Sequence, residues 1–107
     1  MKKYATLATL CCLLVQPCFA EDTYLTGNIS NITSGSVGLY IMLDTGVPSN
    51  CAGTPFGWMI IPEENKTMIS VALMLVAADK RRVTLYTSGN IIGGAYCQIN
   101  QLDPYDL

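Results

Sequence analysis

The chain has 107 residues, half of them hydrophobic, with six Lys or Arg against eight Asp or Glu and no histidine. A chain of this length holds one domain, and it shows no internal repeat or low-complexity linker. The missing histidine excludes serine–histidine and cysteine–histidine mechanisms and removes the commonest general base and metal ligand together.

Residues 1–20 read as a signal peptide. Lys2 and Lys3 give a basic start, Ala5 to Val15 an apolar stretch, and Cys18-Phe19-Ala20 a small-residue ending, so cleavage is expected after Ala20. The apolar stretch falls well short of the roughly 20 residues that cross a bilayer, and acidic Glu21 and Asp22 follow it, so no membrane span is expected. Leu10 before Cys11 and Pro17 before Cys18 are not the small residues that precede a lipidated cysteine. The Met-Lys-Lys start is bacterial in type, which makes the periplasm or the medium the expected destination. The product is then a single domain over residues 21–107, in which Lys66, Lys80, Arg81 and Arg82 stand against eight acids. A net charge of −4 argues against nucleic acid as a partner, because such binding draws its affinity from neutralised phosphates.

Tyr24 to Ile32 reads as a first strand, with Leu25, Gly27 and Ile29 on alternate positions, and Asn31 to Ser36 as a polar turn. Val37, Leu39, Ile41 and Leu43 then share one face of a second strand, which Asp44-Thr45-Gly46 ends. Val47 to Pro55 is turn chemistry throughout and contains Cys51. Gly57 to Ile61 is a short apolar strand holding Trp58 and stopped by Pro62. From Glu63 to Lys80 the period changes: Met68, Ile69, Ala72, Leu73, Leu75 and Val76 recur at spacings of three and four, which predicts a helix. Glu63 and Glu64 fall in its expected first turn and Lys80-Arg81-Arg82 at its far end, the signs of charge that the helix dipole favours. Ser70, Val71, Met74 and Ala78 widen the apolar surface beyond one stripe, so a sheet is expected on one side and a second partner, such as another copy of the protein, on the other.

Alternation returns from Arg82 to Thr87, with Val83 and Leu85 on one face, and Ser88-Gly89-Asn90 is expected to end that strand. After a turn at Gly93-Gly94, Ala95 to Leu102 forms the last strand, with Cys97 and Ile99 facing one way and Pro104 closing it. The expected fold is therefore mainly β with one helix (α+β), in the order β-β-β-α-β-β. That is the order of the small five-stranded barrel called the OB-fold. Closure suits so short a chain, which has little apolar area to leave on open sheet edges. Cys11, Cys12 and Cys18 depart with the leader, and the remaining pair, Cys51 and Cys97, is expected to form one disulfide in an oxidising compartment.

No catalytic constellation is found, so the product is not expected to be an enzyme, and no cofactor or metal is expected. The acid pairs Glu63-Glu64 and Asp103 with Asp106 lie at an element end and in the tail, where solvated charge is the ordinary reading. Gly93-Gly94 lacks the lysine and the following helix of a phosphate loop. What stands out is a supply of aromatic and amide groups on the non-core faces of strands, namely Tyr40, Tyr86, Tyr96, Gln98 and Asn100, together with Trp58, whose ordinary reading, like that of Tyr40, is packing. Sugars are held by stacking on an aromatic face while fixed polar groups read their hydroxyls, so these five residues are the candidate ligand contacts.

Taken in order, Gly38-Leu39-Tyr40-Ile41, Asn50-Cys51-Ala52-Gly53, the helical run Lys66 to Ala78, Arg82-Val83-Thr84-Leu85-Tyr86 and Ala95-Tyr96-Cys97 resemble a known group. It comprises the small exported OB-like proteins related to the B (binding) subunits of subtilase cytotoxin and pertussis-like toxins. The resemblance implies carbohydrate binding to a surface glycan, a homo-oligomer in the form of a pentameric ring, and a catalytic A subunit as partner. The alternative is a small periplasmic protein-interaction or scaffold protein without a carbohydrate site.

Overall fold

The computed structural model describes residues 22–105. The expected signal peptide with its three cysteines, together with Glu21 and Asp106, lies outside these described residues. Strand β1 (Tyr24–Ser34) is followed by β2 (Gly38–Leu43), a 3₁₀ turn (Ser49–Cys51), β3 (Met59–Pro62), helix α1 (Lys66–Ala77), β4 (Arg82–Ile92) and β5 (Tyr96–Pro104). The fold is mainly β with one helix. Its five strands close into a barrel in the order β1-β2-β3-β5-β4, with β4 returning to β1. All neighbours are antiparallel except β3 and β5, which run parallel through Met59–Cys97 and Ile60–Gln98. The reading β-β-β-α-β-β thus gives the order along the chain and not the order across the sheet, where β5 is inserted between β3 and β4.

Alternation along each strand fills the interior. Ile29, Ile41, Met59, Ile61, Val83, Leu85 and Ile99 are all buried in one cluster, and α1 contributes Ala72 and Leu75 to it. Each large side chain so buried stabilises the fold by about 1.5–3 kcal/mol relative to exposure. At Gly38 an added Cβ would run into the carbonyl of Ile61, so β2 and β3 approach closely there because the residue has no side chain. The Cys51–Cys97 disulfide is present, joining two buried cysteines at a sequence separation of 46.

The chain departs from the expected boundaries where the ladder absorbs extra residues. β1 does not turn at Asn31. A bulge between Ile29 and Asn31 lets the strand run on to Ser34 and brings Ile32 back towards the core. Likewise Ser88-Gly89-Asn90 do not end β4: they form a second irregularity between Thr87 and Ile91, with Gly89 at φ +80°, after which Ile91 and Ile92 pair with Cys97 and Tyr96. β5 continues through Pro104, which pairs with Val83. β3 starts at Met59, leaving Trp58 in the preceding loop after Gly57 at φ +71°, and Pro62 is its last residue, where a missing N–H is tolerated.

The helix is shorter at both ends than its hydrophobic pattern. Asn65 donates its N–H to the Pro62 carbonyl, so Glu63 and Glu64 sit in a turn ahead of α1 and no acid occupies its first turn. At the other end the Asp79 N–H reaches the Val76 carbonyl and the Lys80 N–H the Leu75 carbonyl, a Schellman closure with Asp79 left-handed at φ +58°. Lys80-Arg81-Arg82 therefore lies beyond the last helical turn, which carries no base.

Candidate functional site

Because Leu39, Ile41, Met59, Ile61, Cys97 and Ile99 point inward, their strand neighbours Tyr40, Ile60 and Gln98 point outward. Cross-strand register sets these three in a row: Tyr40 opposite Ile60 in β2–β3, and Ile60 opposite Gln98 in β3–β5. Ile60 is 0% exposed although it is not part of the interior cluster, so it is covered from outside the barrel. Aromatic rings gather over this side. The Tyr40 and Tyr96 centroids are 4.6 Å apart at 59°, and Phe56 lies 6.5 Å from Tyr96 at 36°. These are tilted contacts of the kind aromatic pairs favour.

Two glycines fix how closely the chain passes under the rings. A Cβ at Gly35, in the β1–β2 turn, would lie 3.1 Å from the Tyr40 hydroxyl, and one at Gly93, in the β4–β5 turn, 3.2 Å from Cδ2 of Tyr96. Both turns therefore border the cluster. The third edge is the loop after Cys51. That loop is held by the disulfide to the residue next to Tyr96, and by the Thr54 hydroxyl donating to the Cys51 carbonyl at 3.0 Å. Ahead of it, Asn50 is locked to β4: its Nδ2 donates to the Thr87 carbonyl at 3.1 Å and its Oδ1 accepts from the Thr87 hydroxyl at 2.6 Å. Phe56 emerges from this tethered loop 60% exposed. The result is a platform of three rings, with the Gln98 amide in the same row of the sheet.

No known protein family, curated protein or solved structure matches the chain.

Of the five candidate contacts, the fold brings together Tyr40, Tyr96 and Gln98. Tyr86 is elsewhere, on β4 between Tyr24 of β1 and Gln101 of β5, with the Tyr24 and Tyr86 rings 5.7 Å apart. Asn100 is exposed where the β4–β5 register shifts. There it borders a groove of about 480 Å³ with Asn65, Lys66, Thr67 and Gln101. Trp58 belongs to the loop and to no strand. Phe56 and Ile60 were not among the sequence candidates. Phe56 had a usable signal, being an aromatic in a Gly- and Pro-rich loop five residues after a cysteine whose partner adjoins Tyr96. Among the described residues no three His, Cys, Asp or Glu side chains come together as a metal site, and no helix is long and apolar enough to cross a membrane.

Proposed function

We propose that the chain is a secreted or periplasmic, non-enzymatic binding module of OB type that holds a glycan on the Tyr40–Tyr96–Phe56 platform. The observation that carries this reading is the convergence of three rings on one outer face of the barrel, with Gln98 in the same cross-strand row. Stacking supplies apolar contact to a sugar ring, and a fixed amide offers both a donor and an acceptor to its hydroxyls. Support for the OB assignment comes from the closed five-strand order with the helix between β3 and β4. In that fold the ligand face is formed by strands 2 and 3 with the loops after strands 1 and 4, which is where Tyr40, Gly35 and Gly93 lie. The disulfide and the basic–apolar–small leader sequence support export. Membership of a toxin-like assembly with a catalytic A subunit extends this reading and draws only on the resemblance.

A glycan array probed with the oxidised protein tests it. Binding to a defined set of glycans is expected, weakened about tenfold or more by Tyr96→Ala and by the exposed Phe56→Ala, and unchanged by Tyr86→Ala. A blank array with folded protein overturns the proposal. The exposed outer face of α1 favours a second reading, a protein-interaction or scaffold role without a sugar site, and a blank array would leave that reading standing.

A further inference from the structure

One surface of the molecule is untouched by the glycan reading and independent of it. α1 sends Ala72 and Leu75 into the core, and its opposite side carries Ser70, Leu73, Met74 and Ala77, spaced so that they form one stripe. Leu73 is 45% and Met74 53% exposed, two large apolar side chains side by side in water. The stripe runs about 10 Å along the helix, from Ser70 to Ala77. On the Leu73 side a groove of about 540 Å³ runs between α1 and the β1–β2 hairpin, floored by Ile32 and Leu39.

The charges at the two ends of this stripe are opposite. Glu63 and Glu64 are exposed ahead of the helix, and Lys80, Arg81 and Arg82 are exposed after it. Lys66 and Asp79 partly offset them, leaving one net negative charge at the first end and two net positive charges at the second. Arg81 is engaged with Asp79 at 3.3 Å and with the Ile29 carbonyl, and Arg82 lies over the Tyr105 ring, so Lys80 is the base best placed to reach outward.

We infer that two copies of this chain associate through α1 in antiparallel orientation, burying the Leu73–Met74 stripe and setting Glu64 of each copy against Lys80 of the other. An apolar centre flanked by complementary charge is self-matching only under a two-fold axis, which places each acid end on a base end twice. With the centre of contact near residue 72, Ser70 meets Met74 of the other copy and the small Ser70 and Ala77 side chains give room for close approach. A parallel arrangement, as in a ring of helices, sets Glu64 beside Glu64 and Lys80 beside Lys80 and is opposed by both contacts. The interface is small, so the pair exchanges readily and its population depends on concentration and salt.

Sedimentation velocity on the oxidised protein over a range of concentrations, at low and at physiological salt, is the test. The expected result is a monomer–dimer equilibrium that weakens as salt rises. Met74→Glu raises the dissociation constant about tenfold or more, and Glu64→Lys and Lys80→Glu each weaken self-association, while an equimolar mixture of those two charge variants recovers it as a heterodimer. All three positions are exposed, so circular dichroism of the variants should match the parent. A monomer at every concentration overturns the inference, as does a larger closed ring, a dimer indifferent to both charge reversals, or a mixture that does not recover.

Discussion

Asp44 sits in the turn after β2 and is held to β1 at two points: the Asn28 backbone N–H donates to Oδ1 at 2.8 Å and Asn28 Nδ2 to Oδ2 at 3.1 Å. The backbone bond from Asn28, then its side-chain bond, favour the carboxylate and hold its pKa below the ordinary 3.8, outweighing the opposing effect of desolvation, with the Arg82 charge adding less. Since the folded value is the lower one, the unfolded chain takes up this proton first. The contribution is whole above the unfolded pKa, near 4, and disappears as the pH falls through the folded value. An NMR titration should place the Asp44 carboxyl below 3.8, and the Asp44→Asn protein should lose less of its stability between pH 5 and pH 2 than the parent does. A folded pKa at or above 3.8 contradicts the assignment. Asn50 offers a second test. Thr87 is 3% exposed and its hydroxyl is satisfied by Asn50 Oδ1, with the Thr23 carbonyl farther away at 3.3 Å. Asn50→Ala removes a bond to the hydroxyl and one to the Thr87 carbonyl, so urea unfolding should show a loss of about 1–3 kcal/mol. An unchanged midpoint would mean that water replaces Asn50 without loss.

The ends of α1 show what a hydrophobic pattern can and cannot locate. Period reveals which residues turn towards a core, so the helix was legible from Met68, Ala72, Leu75 and Val76. It does not see where hydrogen bonding stops. Glu63 and Glu64 are favourable first-turn residues, yet the Pro62–Asn65 turn takes them out of the helix, and the closure at Asp79 excludes Lys80. The strands err in the opposite direction for a related reason. Ser88-Gly89-Asn90 has turn composition, but a bulge accepts such residues while the ladder continues on either side of them. The core faces of β2, β4 and β5 were readable because alternation of period two is a local signal. The row Tyr40–Ile60–Gln98 was not, because it depends on the parallel β3–β5 pairing that no run of residues announces. Asp79 supplies the test that belongs here. A left-handed L-residue at C′ is strained where glycine is not. Asp79→Gly should therefore exceed Asp79→Ala in stability by about 1 kcal/mol, with the exposed Arg81 pair lost equally in both. Equal melting temperatures would show that the closure tolerates any residue.

Barrel closure, loop and platform are joined at one covalent bond. Cys97 lies on β5 between Tyr96 and Gln98 and opposite Met59 of β3, at the parallel seam that has only two paired positions. Cys51 ends the 3₁₀ turn that leads into the loop bearing Phe56. In the chain-entropy account a bridge across 46 residues stabilises the folded state by about 4 kcal/mol, a large share of the roughly 5–15 kcal/mol typical of a domain. The double replacement Cys51→Ala, Cys97→Ala should therefore lower stability by about 2–4 kcal/mol, which for a domain of this size is a fall in Tm on the order of 10–25 °C. The same change has a local consequence at the platform, because Phe56 reaches Tyr96 from a loop that the bridge and the Asn50–Thr87 pair hold in place. Well below the new Tm, near-ultraviolet circular dichroism from the aromatic cluster should weaken while the far-ultraviolet spectrum of the barrel persists, and the glycan binding proposed above should fall with the near-ultraviolet signal. If the loop keeps its aromatic signature without the bridge, the disulfide serves barrel stability alone and the platform is held by the hydrogen bonds of Asn50 and Thr54.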